Sequence, residues 1–186
     1  MGIGSSIAHG DCTDGILLSS IVEFIDDYCD GIDNIKGLTT EYIHKKYLKP
    51  ITKRSKTSYC QYLKNSSTFH NNNVGKALVY VSHTWEYEFL YVIDALNYFI
   101  TSNYNTNKFE KNQDVYIFID IFSRNPHIVS SSLSDDYLTK SVLLSIKDIG
   151  HTLMVCSPYT DSLTFKNTMN LFELYCTGIN ICILLL

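Results

Sequence analysis

Three runs decide the fold: Ala77-Leu-Val-Tyr-Val-Ser82, Val115-Tyr-Ile-Phe-Ile-Asp120 and Thr152-Leu-Met-Val-Cys-Ser157. Each is a continuous β-prone apolar stretch, without the polar alternation of a half-exposed strand, which is the pattern of strands covered on both faces of a parallel sheet. The segments between them carry helical spacing instead. Phe89, Val92, Ile93, Leu96 and Ile100 form one stripe, and Leu138, Val142, Leu143, Ile146 and Ile149 form another. Strand and helix in alternation imply right-handed crossovers and an α/β domain. A third helix, from about Thr164 to Cys176, leads into Ile179-Asn-Ile-Cys-Ile-Leu-Leu-Leu186, which reads as a fourth strand. That strand lacks a following helix, so its edge calls for cover by another part of the chain or by a partner.

Upstream the pattern differs. Residues 15 to 29 place Leu17, Ile21, Phe24, Ile25 and Tyr28 at helical spacing, and residues 39–48 and 57–64 suggest two further short helices, with Pro50 between them and Thr39 or Thr40 as an N-cap. Residues 65–73, Asn-Ser-Ser-Thr-Phe-His-Asn-Asn-Asn, have almost no apolar content and read as a linker. The expected organisation is a helical arm over 1–64, this linker, and an α/β domain over 74–186.

The chain's 186 residues are enough to bury a sizeable core, and 45% hydrophobic content argues for a folded protein. A net charge of −4 offers no broad basic surface for nucleic acid. The charges are segregated, however. Residues 11–33 carry seven acids and no base, whereas residues 36–64 carry eight bases and the single acid Glu41. Solvated faces of neighbouring helices explain this more plainly than a membrane or partner patch. The six cysteines form no CxxC pair, residues 1–15 have no basic start or apolar core of a signal peptide, and no apolar stretch spans a bilayer. A cytoplasmic location is the expectation. Met1-Gly2-Ile3-Gly4-Ser5-Ser6 matches the permissive N-myristoylation pattern at Gly2, with Lys45, Lys46, Lys49, Lys53, Arg54 and Lys56 as an electrostatic second signal for membrane association. An ordinary flexible start fits the same residues.

In an open parallel sheet, ligands bind beyond the carboxyl ends of the strands, where loops and helix N-termini converge. The polar residues follow that rule: Ser82-His83-Thr84-Trp85 ends the first strand, Asp120 with Ser123, Arg124, Asn125 and His127 the second, and Ser157-Pro158-Tyr159-Thr160-Asp161-Ser162 the third. His83 and Trp85 are placed to touch phosphate or stack on a heterocycle, and Asp120, Ser157 and Tyr159 to bind hydroxyls. Loop packing and turn capping are the plainer roles for all of them. His83, His127 and His151 with Asp120 invite a metal reading, but no two share ligand spacing and His151 precedes its strand, so no metal is expected.

The sequence resembles a Toll/interleukin-receptor (TIR)-like family of protists and algae over about residues 40–186. The resemblance rests on Val81-Ser-His-Thr-Trp85, Ile119-Asp-Ile-Phe122 with Asn125 and His127, Ser145-Ile-Lys-Asp-Ile-Gly-His-Thr152 and Leu171-Phe-Glu-Leu-Tyr-Cys176. Lys49-Pro50-Ile51-Thr52 and Ser58-Tyr59-Cys60 are similar more loosely. It implies a flavodoxin-like/TIR-like open parallel sheet of about four strands. TIR domains that cleave NAD carry a glutamate on the helix after the third of these strands, usually as Trp-Cys-x-x-Glu. Glu173 matches that glutamate, while Met169 and Asn170 stand where the Trp and Cys would be.

The resemblance thus implies a signalling enzyme that hydrolyses or cyclises NAD, taken as substrate with no cofactor required. Glu173 would be the catalytic carboxylate, with Ser82, His83, Trp85, Asp120, Asn125, His127, Ser157 and Tyr159 as binding residues. Independently of the family, a carboxylate suits this chemistry, because breaking a nicotinamide–ribose bond leaves an oxocarbenium-like cation. Read from the helix alone, Glu173 is an ordinary surface glutamate. Two alternatives stay open: a non-enzymatic TIR-like module acting by self-association, as a homo-oligomer, and a nucleoside deoxyribosyltransferase-like enzyme.

Overall fold

A computed structural model describes residues 13–66, 72–105, 109–110, 113–128, 135–158, 160–178 and 181–185. Gly2 and most of the 65–73 linker therefore lie outside the described residues, as does Tyr159. The chain folds as an open, mostly parallel α/β sheet of flavodoxin-like type. All four expected strands are present: β3 (Val79–Ser82), β4 (Tyr116–Ile119), β5 (Thr152–Cys156) and β6 (Ile181–Leu185). Their spatial order β4-β3-β5-β6 is parallel throughout and reverses direction at β3. That reversal is the topological switch point at which such sheets open a crevice.

Two short strands extend the sheet beyond the expected four. Residues 15–17, read as the start of a helix, belong instead to β1 (Asp14–Leu17), and Val74–Lys76 form β2. Both are antiparallel additions, in the order β2-β1-β4. The N-terminal segment thus joins the edge beyond β4, and β6 lies at the opposite edge, so the cover expected for the last strand does not come from residues 13–66.

The helices form two layers. On one face lie α1 (Leu18–Cys29), the helical stretch α2 (Thr40–Ile43) to α3 (Lys49–Ile51), α4 (Tyr59–Asn65) and α5 (Phe89–Asn105). One core cluster joins Ile16, Ile21, Phe24, Ile43, Tyr59 and Cys60 to Val79, Val81, Ile117, Ile119, Phe89 and Leu96. Phe122, in the short helix α6 (Asp120–Ser123), is fully buried there, with Phe24 at 5.4 Å and Tyr59 at 5.6 Å between ring centroids. The other face takes α7 (Asp135–Ile149) and α8 (Thr168–Thr177), where Tyr80 stacks on Phe118 at 5.0 Å beside Val142, Ile146 and Ile149. The strict two-residue alternation of a strand explains this division: Val79 and Val81 face one layer, Tyr80 the other.

Thr39 caps α2 by accepting the Tyr42 amide at 3.3 Å. Pro50, expected to break the chain, instead sits in the first turn of α3, directly after a π-helical turn at His44–Leu48. A wider turn leaves room for a ring that clashes with the preceding carbonyls of a regular helix. Of the segregated charges, Lys64 on α4 pairs with Asp14 on β1, joining the basic segment to the acidic one.

Gly15 shows how closely β1 is seated. A Cβ at that position would lie 2.7 Å from the Ile117 backbone nitrogen and 2.8 Å from its carbonyl carbon, and backbone in mid-sheet cannot step aside. Gly15→Ala is therefore expected to destabilise the whole protein by on the order of 2 kcal/mol or more, the range of overpacked core substitutions. Urea unfolding of the two proteins checks this; a change within about 0.5 kcal/mol, as for an ordinary surface site, would show β1 to be loosely attached.

Candidate functional site

Glu173 is not a surface residue. It lies one turn into α8, which begins where Asn167 accepts the Met169 and Asn170 amides, and it is 7% exposed. Its carboxylate receives the Tyr80 hydroxyl on Oε1 at 2.6 Å and the Ser82 hydroxyl on Oε2 at 2.6 Å. Asn170 Nδ2 donates to the same Oε2 at 3.1 Å, and also reaches Ser82 Oγ and the His83 carbonyl at 3.1 Å each. β3 supplies two of these donors and α8 the third.

Burial pushes the Glu173 carboxyl above its ordinary value, the Ser82 and Tyr80 hydroxyls pull it back, and nearby Asp120 adds to the rise. Tyr80 is raised well above a free tyrosine, by burial first and by Glu173 next, so its hydroxyl keeps its proton and acts as a donor. Arg124 lies half-buried nearby and donates to Ser141 Oγ at 3.2 Å. Its burial disfavours charge, yet attraction from Tyr80, Asp120 and Glu173 holds its proton more firmly than usual.

A pocket of about 330 Å³ opens at the strand ends, lined by Glu173, Asn170, His83, Trp85, Asp120 and Glu86 among others. Trp85 Nε1 donates to Asp120 Oδ2 at 2.7 Å, and its ring packs on His44 with centroids 4.8 Å apart. Asp120 Oδ1 accepts the Ile121 amide at 2.8 Å, so this carboxylate also begins α6. His83 is 4% exposed, and burial lowers its pKa, favouring the neutral ring.

Of the residues expected at the site, His83, Trp85, Asp120 and Glu173 line this pocket, and Ser82 joins them through its hydrogen bond to Glu173. Asn125, His127 and Ser157 are not among the lining residues and have other partners. Asn125 Nδ2 donates to the Lys56 carbonyl at 2.8 Å, and His127 Nε2 meets Thr52 Oγ1 at 2.9 Å, so both fasten the turn after α3 to the end of β4. The Ser157 amide donates at 2.9 Å to the Tyr87 hydroxyl, which also takes the Thr164 hydroxyl at 3.0 Å and organises the loop after β5. His151 is exposed at the other end of β5. Among the described residues no three His, Cys, Asp or Glu side chains gather as metal ligands.

No family model, curated protein or solved structure matches this chain.

Tyr80 and Asn170 are the members that the sequence did not single out. Tyr80 carries the one phenolic hydroxyl of its strand run, and a buried tyrosine hydroxyl usually finds a partner. Asn170, noted only as standing where a Cys would be, is a fixed donor to Glu173. Tyr80→Phe should raise the Glu173 pKa further and cost about 1–3 kcal/mol, the usual penalty for removing a partner from a buried polar group. Side-chain carbon NMR of Glu173 across a pH titration measures the shift; an unchanged or lowered value would show that Tyr80 does not hold the carboxylate.

Proposed function

We propose that this protein is a TIR-like, NAD-consuming signalling enzyme that breaks the nicotinamide–ribose bond, with Glu173 as its catalytic carboxylate. The observation that carries this reading is the setting of Glu173: a carboxylate on the wall of a pocket at the switch point, held in one orientation by three donors. Fixed charge in a site of low dielectric stabilises a developing cation far more than the same charge in water.

In the proposed reaction the C–N bond to the ribose breaks heterolytically and its electron pair stays on the ring nitrogen, so nicotinamide leaves neutral. The positive charge moves to the ribose, where Glu173 faces it. Addition of water, with loss of one proton, gives the hydrolysed product; attack by the adenine nitrogen gives the cyclised one. Trp85, held by Asp120 and backed by His44, offers an aromatic face at the same opening.

A second reading, a TIR-like self-association module, draws support from the exposed apolar side chains of α8, Met169, Leu171 and Tyr175, the last 84% exposed. The two readings part at Glu173→Gln, which removes the charge and keeps the size. Release of nicotinamide from NAD, followed at several protein concentrations, should fall at least about a hundredfold, the effect of losing one preorganised electrostatic group. Undiminished release would remove Glu173 from catalysis. Pure scaffolding would leave association unaltered by this change and show no release in the wild type.

The pH dependence has a definite sign. Only ionised Glu173 stabilises the cation, and its pKa is raised by burial. Turnover should therefore grow with pH along a single ionisation lying above the ordinary glutamate value of about 4.3, then level off. A rate already level at about pH 4.5 would show that this carboxyl does not govern the reaction.

A further inference from the structure

The pocket is unbalanced in charge. Glu41, Glu86, Asp120 and Glu173 line it, and its described lining contains no Lys or Arg. Compensation comes from the sides: Lys45 pairs with Glu41 at 2.6 Å on the surface, and Arg124 lies half-buried outside the lining. Four carboxylates on a lining without a Lys or Arg face whatever enters with negative charge.

A second observation points to a ligand. Two lining side chains, each 4% exposed, keep a buried polar atom without a partner: Nε2 of His83 and Oδ1 of Asn170. The Asn170 amide cannot simply be turned round, because its nitrogen already serves three acceptors. Its oxygen is thus an acceptor in need of a donor, and an unmet buried acceptor is costly. The carboxylates favour positive charge, and this oxygen, buried within a residue of the same lining, adds an unmet acceptor.

We propose that the pocket selects the cationic, nitrogen-linked pyridinium ring of its substrate by charge, takes the N–H of that ring's carboxamide on Asn170 Oδ1, and leaves phosphate outside. The identity of the ring rests on the NAD reading above; the preference for a cation and the role of Asn170 do not. A volume of about 330 Å³ lies at the small end of ordinary ligand pockets, which suits one nucleoside-sized part of a dinucleotide. Phosphate brought among four carboxylates would meet repulsion at every wall.

Binding tests this apart from turnover. The probe is carbocyclic nicotinamide riboside, a cation that cannot be cleaved because its ribose oxygen is replaced by carbon, and the comparison is its neutral dihydro form of nearly the same shape. Calorimetry should find the cation bound at least about tenfold more tightly, and Glu41→Gln with Glu86→Gln should narrow that ratio. Replacing the ring carboxamide by an acetyl group, which has no N–H, should weaken the cation several-fold in the wild type.

Equal affinity for the cation and its neutral form, or no binding of either at millimolar concentration, would overturn the charge selection. Equal affinity for carboxamide and acetyl rings would overturn the role of Asn170. Cleavage of NAD is scored separately. A protein that prefers the cation but leaves NAD intact keeps this inference and loses the proposed reaction, whereas NAD cleavage with no preference does the reverse.

Discussion

A carboxylate removed from water needs donors to replace its hydration, and the arrangement of β3 against α8 is built around meeting that need for Glu173. Tyr80 and Ser82 are two residues apart on one strand, so both hydroxyls project from the same face and reach the two oxygens of a single carboxylate. Asn170 lies one turn before Glu173 on α8 and closes the third side. Were β3 to slip by one residue, Val79 and Val81 would face α8 and the carboxylate would keep only Asn170 of its three donors. The register of the central strand and the placement of α8 are thus fixed by the same polar contact.

That contact also explains why Tyr80 is tolerated in a buried strand. Its ring stacks on Phe118 within the α7 and α8 layer, while its hydroxyl stands at the polar end of that layer. The opposite layer is built chiefly on apolar and aromatic packing. There Phe24, Tyr59, Phe89 and Phe122 pack edge to face or tilted, and residues from α1, α4, α5 and α6 share one apolar cluster. One face of the sheet supplies bulk burial and the other carries the catalytic candidate. Asp120 connects them: its carboxylate reaches Trp85 at the pocket, and two residues later Phe122 anchors the apolar layer.

The major strands could be read from the sequence because burial on both faces demands unbroken apolar runs, and four such runs stand out. β1 and β2 could not, because each has only three or four residues and contains glycine, Gly15 and Gly75, which carries no apolar signal. Leu17, followed directly by a helix with matching spacing, extended the helical pattern over the strand. At the site, Ser82, His83, Trp85, Asp120 and Glu173 were legible since they follow strand ends or match a motif. Asn125 and His127 follow a strand end equally well, but they turn toward Thr52 and Lys56, contacts some 70 positions away in the chain. Sequence proximity to a strand end identifies the rim of the crevice, not which side chains turn inward. Asn170 carried no signal of its own, because a short amide on a helix is common and its worth here lies in the groups it meets.

The electrostatics of the site close on a last step. Asp120 adds to the rise of the Glu173 carboxyl, and the two carboxylates both act on half-buried Arg124. One guanidinium does not offset two carboxylates, so Glu173 holds a proton more readily than a free glutamate does. A cation entering beside both would favour its loss, since an opposite charge nearby lowers a carboxyl pKa. On the proposed reading, the substrate's own positive charge therefore helps ionise the group that its cleavage requires. As the bond breaks, on that reading, the positive charge passes from ring to ribose without leaving the field of Glu173. Burial, which at first sight weakens a catalytic carboxylate, is in this arrangement what makes its ionisation depend on the ligand.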